Sequence, residues 1–142
     1  ATRPRLAAHA MEHLDPKQAS DFLKKNSDAL FVDCRSEMEF LFVGHPVGAM
    51  HVAWNDGPDW EVNPHFAGRV KKLAGTNHTT RPIVLICRSG NRSLEAGAAL
   101  ERAGFTCVYN VQHGFEGELD ELLPQVVNPA AHHRMIWRLG GG

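Results

Sequence analysis

The segment PIVLICRSGNRS, residues 82–93, joins the strongest strand pattern of the chain to its strongest helix pattern. Residues 82–86 form an uninterrupted apolar run, a pattern typical of a strand that is buried on both faces. Residues 94–103 have the apolar spacing of a helix, and Gly104 follows them as a common helix stop. Between strand and helix lies a polar loop, residues 87–93, which begins with a cysteine and contains two arginines.

Strand and helix patterns alternate along the rest of the chain as well. Apolar runs predict further strands at residues 29–32, 49–53 and 106–111. Helices are predicted after the N-cap Asp15 and Pro16, at residues 36–43, from about residue 63 to residue 73, and at residues 115–123. This order predicts an α/β fold with a mostly parallel central sheet and helices on both faces. Such sheets bind their ligands beyond the carboxyl ends of the strands.

Two of these segments carry predictions about side chains. Residues 36–43 have apolar side chains spaced for burial, namely Met38, Leu41 and Phe42. Residues 54–66 are rich in Asn, Asp, Gly and Pro but also contain large aromatic side chains, namely Trp54, Trp60 and Phe66. We expect an ordered loop there, whose aromatic residues either line the mouth of the site or anchor the loop.

Length and composition predict one domain and narrow the class of function. The 142 residues are 43% hydrophobic and 22% charged, which suits a single globular domain at residues 14–123, with an N-terminal extension at 1–13 and a tail at 124–142. The formal net charge of -1 is too balanced for nucleic acid or an anionic membrane surface. No apolar run reaches the roughly 20 residues of a membrane-spanning helix.

The cysteines and the first ten residues predict the cellular compartment. The three cysteines contain no Cys-x-x-Cys pair and suggest neither a disulfide framework nor a cysteine-rich zinc site. Residues 1–10 lack the apolar stretch of a secretory signal. We therefore expect a reducing, cytoplasmic location.

The loop at residues 87–93 has the features of a nucleophilic site. Successive amides in a tight strand-to-helix loop converge on one point, and the helix adds the positive end of its dipole. Gly90 permits the tight backbone, while the charges of Arg88 and Arg92 are expected to lower the pKa of Cys87 and so to favour its thiolate. The alternative is a buried structural cysteine followed by a basic turn.

The loop Cys-Arg-Ser-Gly-Asn-Arg-Ser resembles the active-site loop of rhodanese-like sulfurtransferases. Further segments resemble the same family, namely residues 32–35, 39–40, 44–49, 51–52 and 114–117. The resemblance spans about residues 14–123. Two departures are Cys34, where the Asp-x-Arg motif usually has an apolar residue, and the order His-Pro-Val at residues 45–47.

This resemblance implies a persulfide cycle without a cofactor. Cys87 would take a sulfane sulfur from a small anionic donor such as thiosulfate and give it to cyanide, to a thiol or to a sulfur-carrier protein. The residues expected to bind the substrate around it are Arg88, Ser89, Gly90, Asn91, Arg92, Ser93 and Arg35. Related folds that act on phosphate or arsenate have one more residue in the loop, whereas four residues separate Cys87 from Arg92 here.

The neighbouring strand end supplies supporting residues. Asp33 is expected to form a salt bridge with Arg35 or with the loop, and Arg35 is expected to extend the positive rim. Cys34 and Cys107 are interpreted as packing residues. As an alternative, the Cys34 thiol resolves a Cys87 persulfide into a disulfide.

Other functions remain as rivals. The same loop would serve a non-catalytic sulfur carrier or a redox-sensing module loaded by partner proteins, and a phosphatase is a third candidate. A metal site is not predicted, because the nine histidines, including His132 and His133, have no cysteine or acidic partner at metal-ligand spacing.

Overall fold

A parallel sheet of five strands, in the order β1-β5-β4-β2-β3, forms the centre of the structure. The computed structural model describes residues 11–88 and 90–115. The strands are β1 (Glu12–Leu14), β2 (Leu30–Asp33), β3 (Met50–His51), β4 (Ile83–Ile86) and β5 (Val108–Val111). The helices are α1 (Pro16–Lys25), α2 (Phe66–Ala74) and α3 (Asn91–Arg102), together with a π-helical turn at Glu39–Val43 and a 3-10 turn at Gly75–Asn77. The predicted α/β class and parallel sheet are confirmed.

Helix α1 begins as its sequence predicts. Asp15 accepts a hydrogen bond from the Gln18 amide, and the Gln18 side chain accepts one from the Asp15 amide, so two free donors of the first turn are satisfied. Pro16 takes the first helical position. The connection between β1 and α1 is therefore short and defined.

Apolar side chains cover the sheet on both faces. On β4, Ile83 and Leu85 belong to one core cluster, and Val84 and Ile86 belong to the other. Because successive side chains of a strand point to opposite faces, a strand buried on both sides must be apolar at every position. This explains the continuous apolar run of residues 82–86.

Residues 36–43 depart from the prediction. The region ends in a π-helical turn, and the side chains expected to be buried are exposed, with Met38 65%, Leu41 59% and Phe42 75% accessible. Phe40 is half-buried, and its ring stacks on His45 at 3.8 Å and on His51 at 4.5 Å between centroids. A π-helical turn has wider spacing than an α-helix, so the α-helical periodicity behind the prediction does not hold here.

The loop at residues 54–66 is ordered, as predicted, and aromatic residues anchor it. Trp54 and Phe66 are buried and meet edge to face at 5.3 Å. Trp54 Nε1 also donates to Glu95 Oε1 on α3 at 3.1 Å. Trp60 is exposed and takes no part in this anchor.

Two element boundaries affect the site. Strand β1 begins within the predicted N-terminal extension, residues 1–13, and pairs with β5. Helix α3 begins at Asn91, earlier than predicted, so its first turn contains the second half of the loop.

The predicted helix at residues 115–123 and the tail lie outside the described residues, apart from Phe115. No helix of the described part is both long and apolar enough to cross a membrane.

Candidate active site

The sheet presents Cys87 at the carboxyl end of its central strand. Cys87 follows β4 directly, and the chain turns into α3 through Gly90, whose φ of 102° lies in the left-handed region. A Cβ at Gly90 would also lie 3.3 Å from the His113 amide nitrogen. The backbone conformation therefore favours glycine here, and the close approach adds to this preference.

A second glycine closes the back of the loop. The Phe115 amide donates to the Cys87 carbonyl at 2.7 Å, which brings the following turn against the loop. A Cβ at Gly114 would collide with backbone atoms of Cys87 and Arg88. The turn therefore supports the loop from behind, and only glycine fits there.

Hydrogen-bond donors converge on the sulfur of Cys87. The Gly90 amide lies 3.0 Å from Cys87 Sγ, the Ser93 amide 3.4 Å and Ser93 Oγ 3.3 Å. The residue is buried. This is the predicted nest of donors at a helix N-terminus.

These contacts stabilise the thiolate. A hydrogen bond from the Cys34 thiol lowers the pKa of Cys87 most, burial opposes it, and hydrogen bonds from Ser93 and Gly90 lower it further, to about 5. The direction agrees with the prediction from sequence. The cause differs, because hydrogen bonds contribute more than the charges of the arginines.

Cys34 contributes more to the site than its predicted role as a packing residue. Its side chain is fully buried, its Sγ donates to the Ile86 carbonyl oxygen at 3.4 Å, and the strand register places it beside Cys87. Hydrogen bonding to Cys87, burial and the negative charges of Cys87 and Asp33 all raise the pKa of Cys34 well above its ordinary value. The site therefore combines one thiolate with one protonated thiol.

Arg92 is paired within the protein. Its two terminal nitrogens donate to the two carboxylate oxygens of Glu39 at 2.8 and 3.0 Å. Burial alone would raise the pKa of Glu39, but hydrogen bonds from Arg92 and Ser36 lower it to about 2. Glu39 thus neutralises much of the charge that the sequence analysis assigned to substrate binding. Only the family pattern at residues 39–40 pointed to it.

Asp33 and Arg35 form a buried ion pair. Arg35 Nη2 donates to Asp33 Oδ2 at 2.7 Å and to the Gly44 carbonyl at 2.6 Å, and the guanidinium lies 4.3 Å from the centre of the Phe115 ring. The mutual salt bridge is the role expected for Asp33. The expectation that Arg35 extends a positive rim is wrong, because this side chain is only 1% exposed. Its partners are all internal.

A polar chain leads from Ser93 to the edge strand. Ser93 Oγ donates to Asn110 Oδ1, and Asn110 Nδ2 donates to His13 Nδ1 at 3.2 Å. The single hydroxyl hydrogen of Ser93 thus faces Cys87, the Gly90 carbonyl and Asn110 as competing acceptors. Neither residue was singled out from the sequence: His13 lies on β1, which was not predicted, and nothing marked Asn110 within the predicted strand at residues 106–111.

The remaining loop residues differ in position. Arg88 and Asn91 are exposed, and Ser89 lies outside the described residues.

Within residues 11–88 and 90–115, no group of three or more His, Cys, Asp or Glu is arranged to hold a metal ion. His132 and His133 lie beyond this range.

Comparisons with known proteins agree on one family. The rhodanese-like domain family matches residues 15–120. A thiosulfate sulfurtransferase, GlpE of Pseudomonas putida, is 32% identical over 105 residues, which cover 74% of this chain and 82% of the relative.

Solved structures with a similar fold are also found. Rv0390 of M. tuberculosis is 36% identical with a TM-score of 0.64, and the match covers 77% of this chain and 83% of that protein. A polysulfide-sulfur transferase homodimer of Wolinella succinogenes is 26% identical with a TM-score of 0.57, and the match covers 78% and 74% of the two chains.

Proposed function

This chain belongs to the family of rhodanese-like domains, and we propose that it is a sulfurtransferase in which Cys87 carries the transferred sulfur. The observation that carries the proposal is the Cys87 thiolate, which receives hydrogen bonds from two amides at a helix N-terminus. A thiolate with a pKa of about 5 is largely ionised at neutral pH. It is also a good leaving group once a sulfur is attached.

The first half-reaction loads the protein. The Cys87 thiolate attacks the outer sulfur of thiosulfate, the S–S bond of the donor breaks, and sulfite leaves with the bonding electron pair. The product is a Cys87 persulfide. Its outer sulfur carries negative charge, and preorganised amides of the loop stabilise such charge without further rearrangement.

The second half-reaction unloads it. Cyanide or a thiolate attacks the outer sulfur, the persulfide bond breaks, and the electron pair returns to Cys87 Sγ. The amides of Gly90 and Ser93 already point at this atom, so the returning thiolate meets donors in place. A small thiol or a sulfur-carrier protein fits the acceptor role, and neither half-reaction needs a metal or a cofactor.

The two loop arginines are assigned different tasks. Arg88 is exposed beside the nucleophile and attracts an anionic donor through its charge. Arg92 is paired with Glu39 and holds the first turn of α3 to the π-helical turn. The short loop favours sulfur over the larger phosphate group as substrate.

Intact-protein mass spectrometry tests the proposal. In the Cys34→Ser protein, which lacks the second thiol beside Cys87, we expect treatment with thiosulfate to add the mass of one sulfur, which maps to Cys87 and is removed by cyanide with formation of thiocyanate. Cys87→Ser should gain no sulfur, whereas Cys107→Ser should behave as the wild type. A sulfur that maps to Cys107 would contradict the assignment.

A steady-state assay separates the enzyme from its rivals. Catalytic turnover of thiosulfate and cyanide at low protein concentration supports the sulfurtransferase. One round of sulfur loading without turnover would favour a carrier or redox module loaded by partner proteins. Hydrolysis of an aryl phosphate would instead indicate a phosphatase.

A further inference from the structure

We propose that Cys34 is a resolving thiol, which attacks Cys87 Sγ in the loaded protein, releases the carried sulfur as sulfide and leaves a Cys34–Cys87 disulfide. This inference rests on the proposed function. It assigns a second outcome to the same site: sulfur leaves either to an external acceptor or, in its absence, as sulfide.

The sheet register places the two cysteines side by side. Asp33 of β2 pairs with Ile86 of β4, and Cys34 and Cys87 are the next residues of these parallel strands. The Cys34 amide still donates to the Ile86 carbonyl at 2.9 Å, so the ladder continues to this point. Adjacent strands lie about 4.8 Å apart. Disulfides join Cα atoms separated by roughly 4.4–6.8 Å.

Burial restricts what Cys34 can react with. Both side chains are buried, with Cys34 0% and Cys87 1% exposed, but only Cys87 lies in the loop, where the Gly90 and Ser93 amides stabilise its thiolate. A donor or an oxidant therefore reacts with Cys87 first. The strand register places Cys34 next to Cys87 itself, so its attack is directed at Cys87 Sγ rather than at the outer sulfur.

Loading also lessens one obstacle to attack. In the resting protein, hydrogen bonding to the Cys87 thiolate, burial and the charge of that thiolate all raise the pKa of Cys34. When Cys87 becomes a persulfide, the negative charge moves outward by one atom, to the sulfane sulfur. Cys34 then loses its proton more readily, and the thiolate is the attacking form.

The step balances in atoms and electrons. The bond between Cys87 Sγ and the sulfane sulfur breaks, and the bond between Cys34 Sγ and Cys87 Sγ forms. The leaving sulfur keeps the electron pair and takes the Cys34 proton, so it departs as hydrosulfide. In this step Cys34 Sγ is oxidised by one electron and the sulfane sulfur is reduced by one, while Cys87 Sγ has one S–S bond before and after the step.

A dithiol reductant would return the disulfide to two thiols. The complete cycle then converts thiosulfate and a dithiol into sulfite, sulfide and an oxidised dithiol. Over loading and release together, the pair of cysteines acts as an internal two-electron donor, and the carried sulfur leaves as sulfide.

The resolving step is tested first without any sulfur donor. One equivalent of methyl methanethiosulfonate, a small neutral reagent, places a methylthio group on Cys87 in a Cys107→Ser background. With Cys34 present, we expect this group to leave as methanethiol and the protein to lose two hydrogens in mass. In the Cys34→Ser, Cys107→Ser protein the adduct should persist. Cys34→Ala gives a second test should the serine variant fail to fold.

The second arm uses thiosulfate on the same proteins, without an acceptor. We expect one equivalent of sulfide and the Cys34–Cys87 disulfide when Cys34 is present, and a stable added sulfur when it is replaced. Methylthio and sulfur adducts that are equally stable in both backgrounds would overturn the resolving role. Release of methanethiol combined with no uptake of sulfur would overturn the proposed function, and the sulfide-releasing step with it.

Discussion

Two neighbouring strands of this protein end in the same dipeptide and use it in opposite ways. After β4 the chain continues with Cys87 and Arg88, where the thiol has a lowered pKa and the arginine is exposed. After β2 it continues with Cys34 and Arg35, where the thiol has a raised pKa and the arginine is buried.

The difference comes from the residues on either side. Gly90 and the start of α3 follow the first dipeptide and direct amides at its sulfur. Asp33 precedes the second and draws Arg35 inward as an ion pair. Chemical type alone therefore does not identify a nucleophile, since the donors around the sulfur determine its charge.

Replacing the nucleophile should give the largest effect. Cys87→Ser should lower the rate of thiosulfate–cyanide transfer by roughly 10³-fold or more, because the hydroxyl is not ionised at neutral pH. Cys107→Ser is the matched control and should keep the wild-type rate. Cys34→Ser should retain most of the activity, since its hydroxyl still donates to Cys87. An equally inactive but folded Cys34→Ser would contradict the one-nucleophile mechanism of transfer.

The buried arginine should matter for stability and the exposed one should not. Asp33→Ala leaves the Arg35 guanidinium buried without its carboxylate, so we expect the free energy of unfolding to fall by about 3–5 kcal/mol. Arg88→Ala should change it by less than about 0.5 kcal/mol. Urea unfolding measures both values, and equal losses in the two variants would mean that the ion pair does not distinguish the strand ends.

The hydrogen bond between the cysteines should be visible in a pH profile. Alkylation of Cys87 follows its thiolate, so in the wild type the rate should be constant above about pH 6 and fall as the pH drops through about 5. Cys34→Val removes the largest stabilising contact and should move this midpoint upward by on the order of one unit. Cys34→Ser, which keeps a donor, should move it less. If the alkylation rate depends on pH in the same way in all three proteins, Cys34 does not stabilise the Cys87 thiolate.

The smallest effect is expected from the exposed charge. Arg88→Glu should slow the use of thiosulfate by roughly tenfold, because the dianion meets a repulsive charge on approach. Alkylation by a neutral reagent should change less, and added salt should narrow the gap through screening. Rates that are insensitive to both the substitution and salt would place the steering charge elsewhere.

Much of this protein was determined by local sequence patterns. Apolar runs bounded by polar residues indicated the parallel sheet, and the loop at residues 87–93 identified Cys87 as the candidate nucleophile. These features depend on residues that are close in the chain, since a strand, a glycine turn and a helix N-terminus are each specified over a few positions.

Tertiary structure decided the partners of the site. Glu39 meets Arg92 across 53 positions of sequence, Cys34 meets Cys87 across neighbouring strands, and Asn110 joins Ser93 to an edge strand that has no strong pattern of its own. Tertiary structure likewise decided that Arg35 is buried and that three apolar side chains are exposed, namely Met38, Leu41 and Phe42. Sequence periodicity describes which side of an element is apolar. Which side chains form hydrogen bonds or ion pairs depends on distances that exist only after the strands have paired.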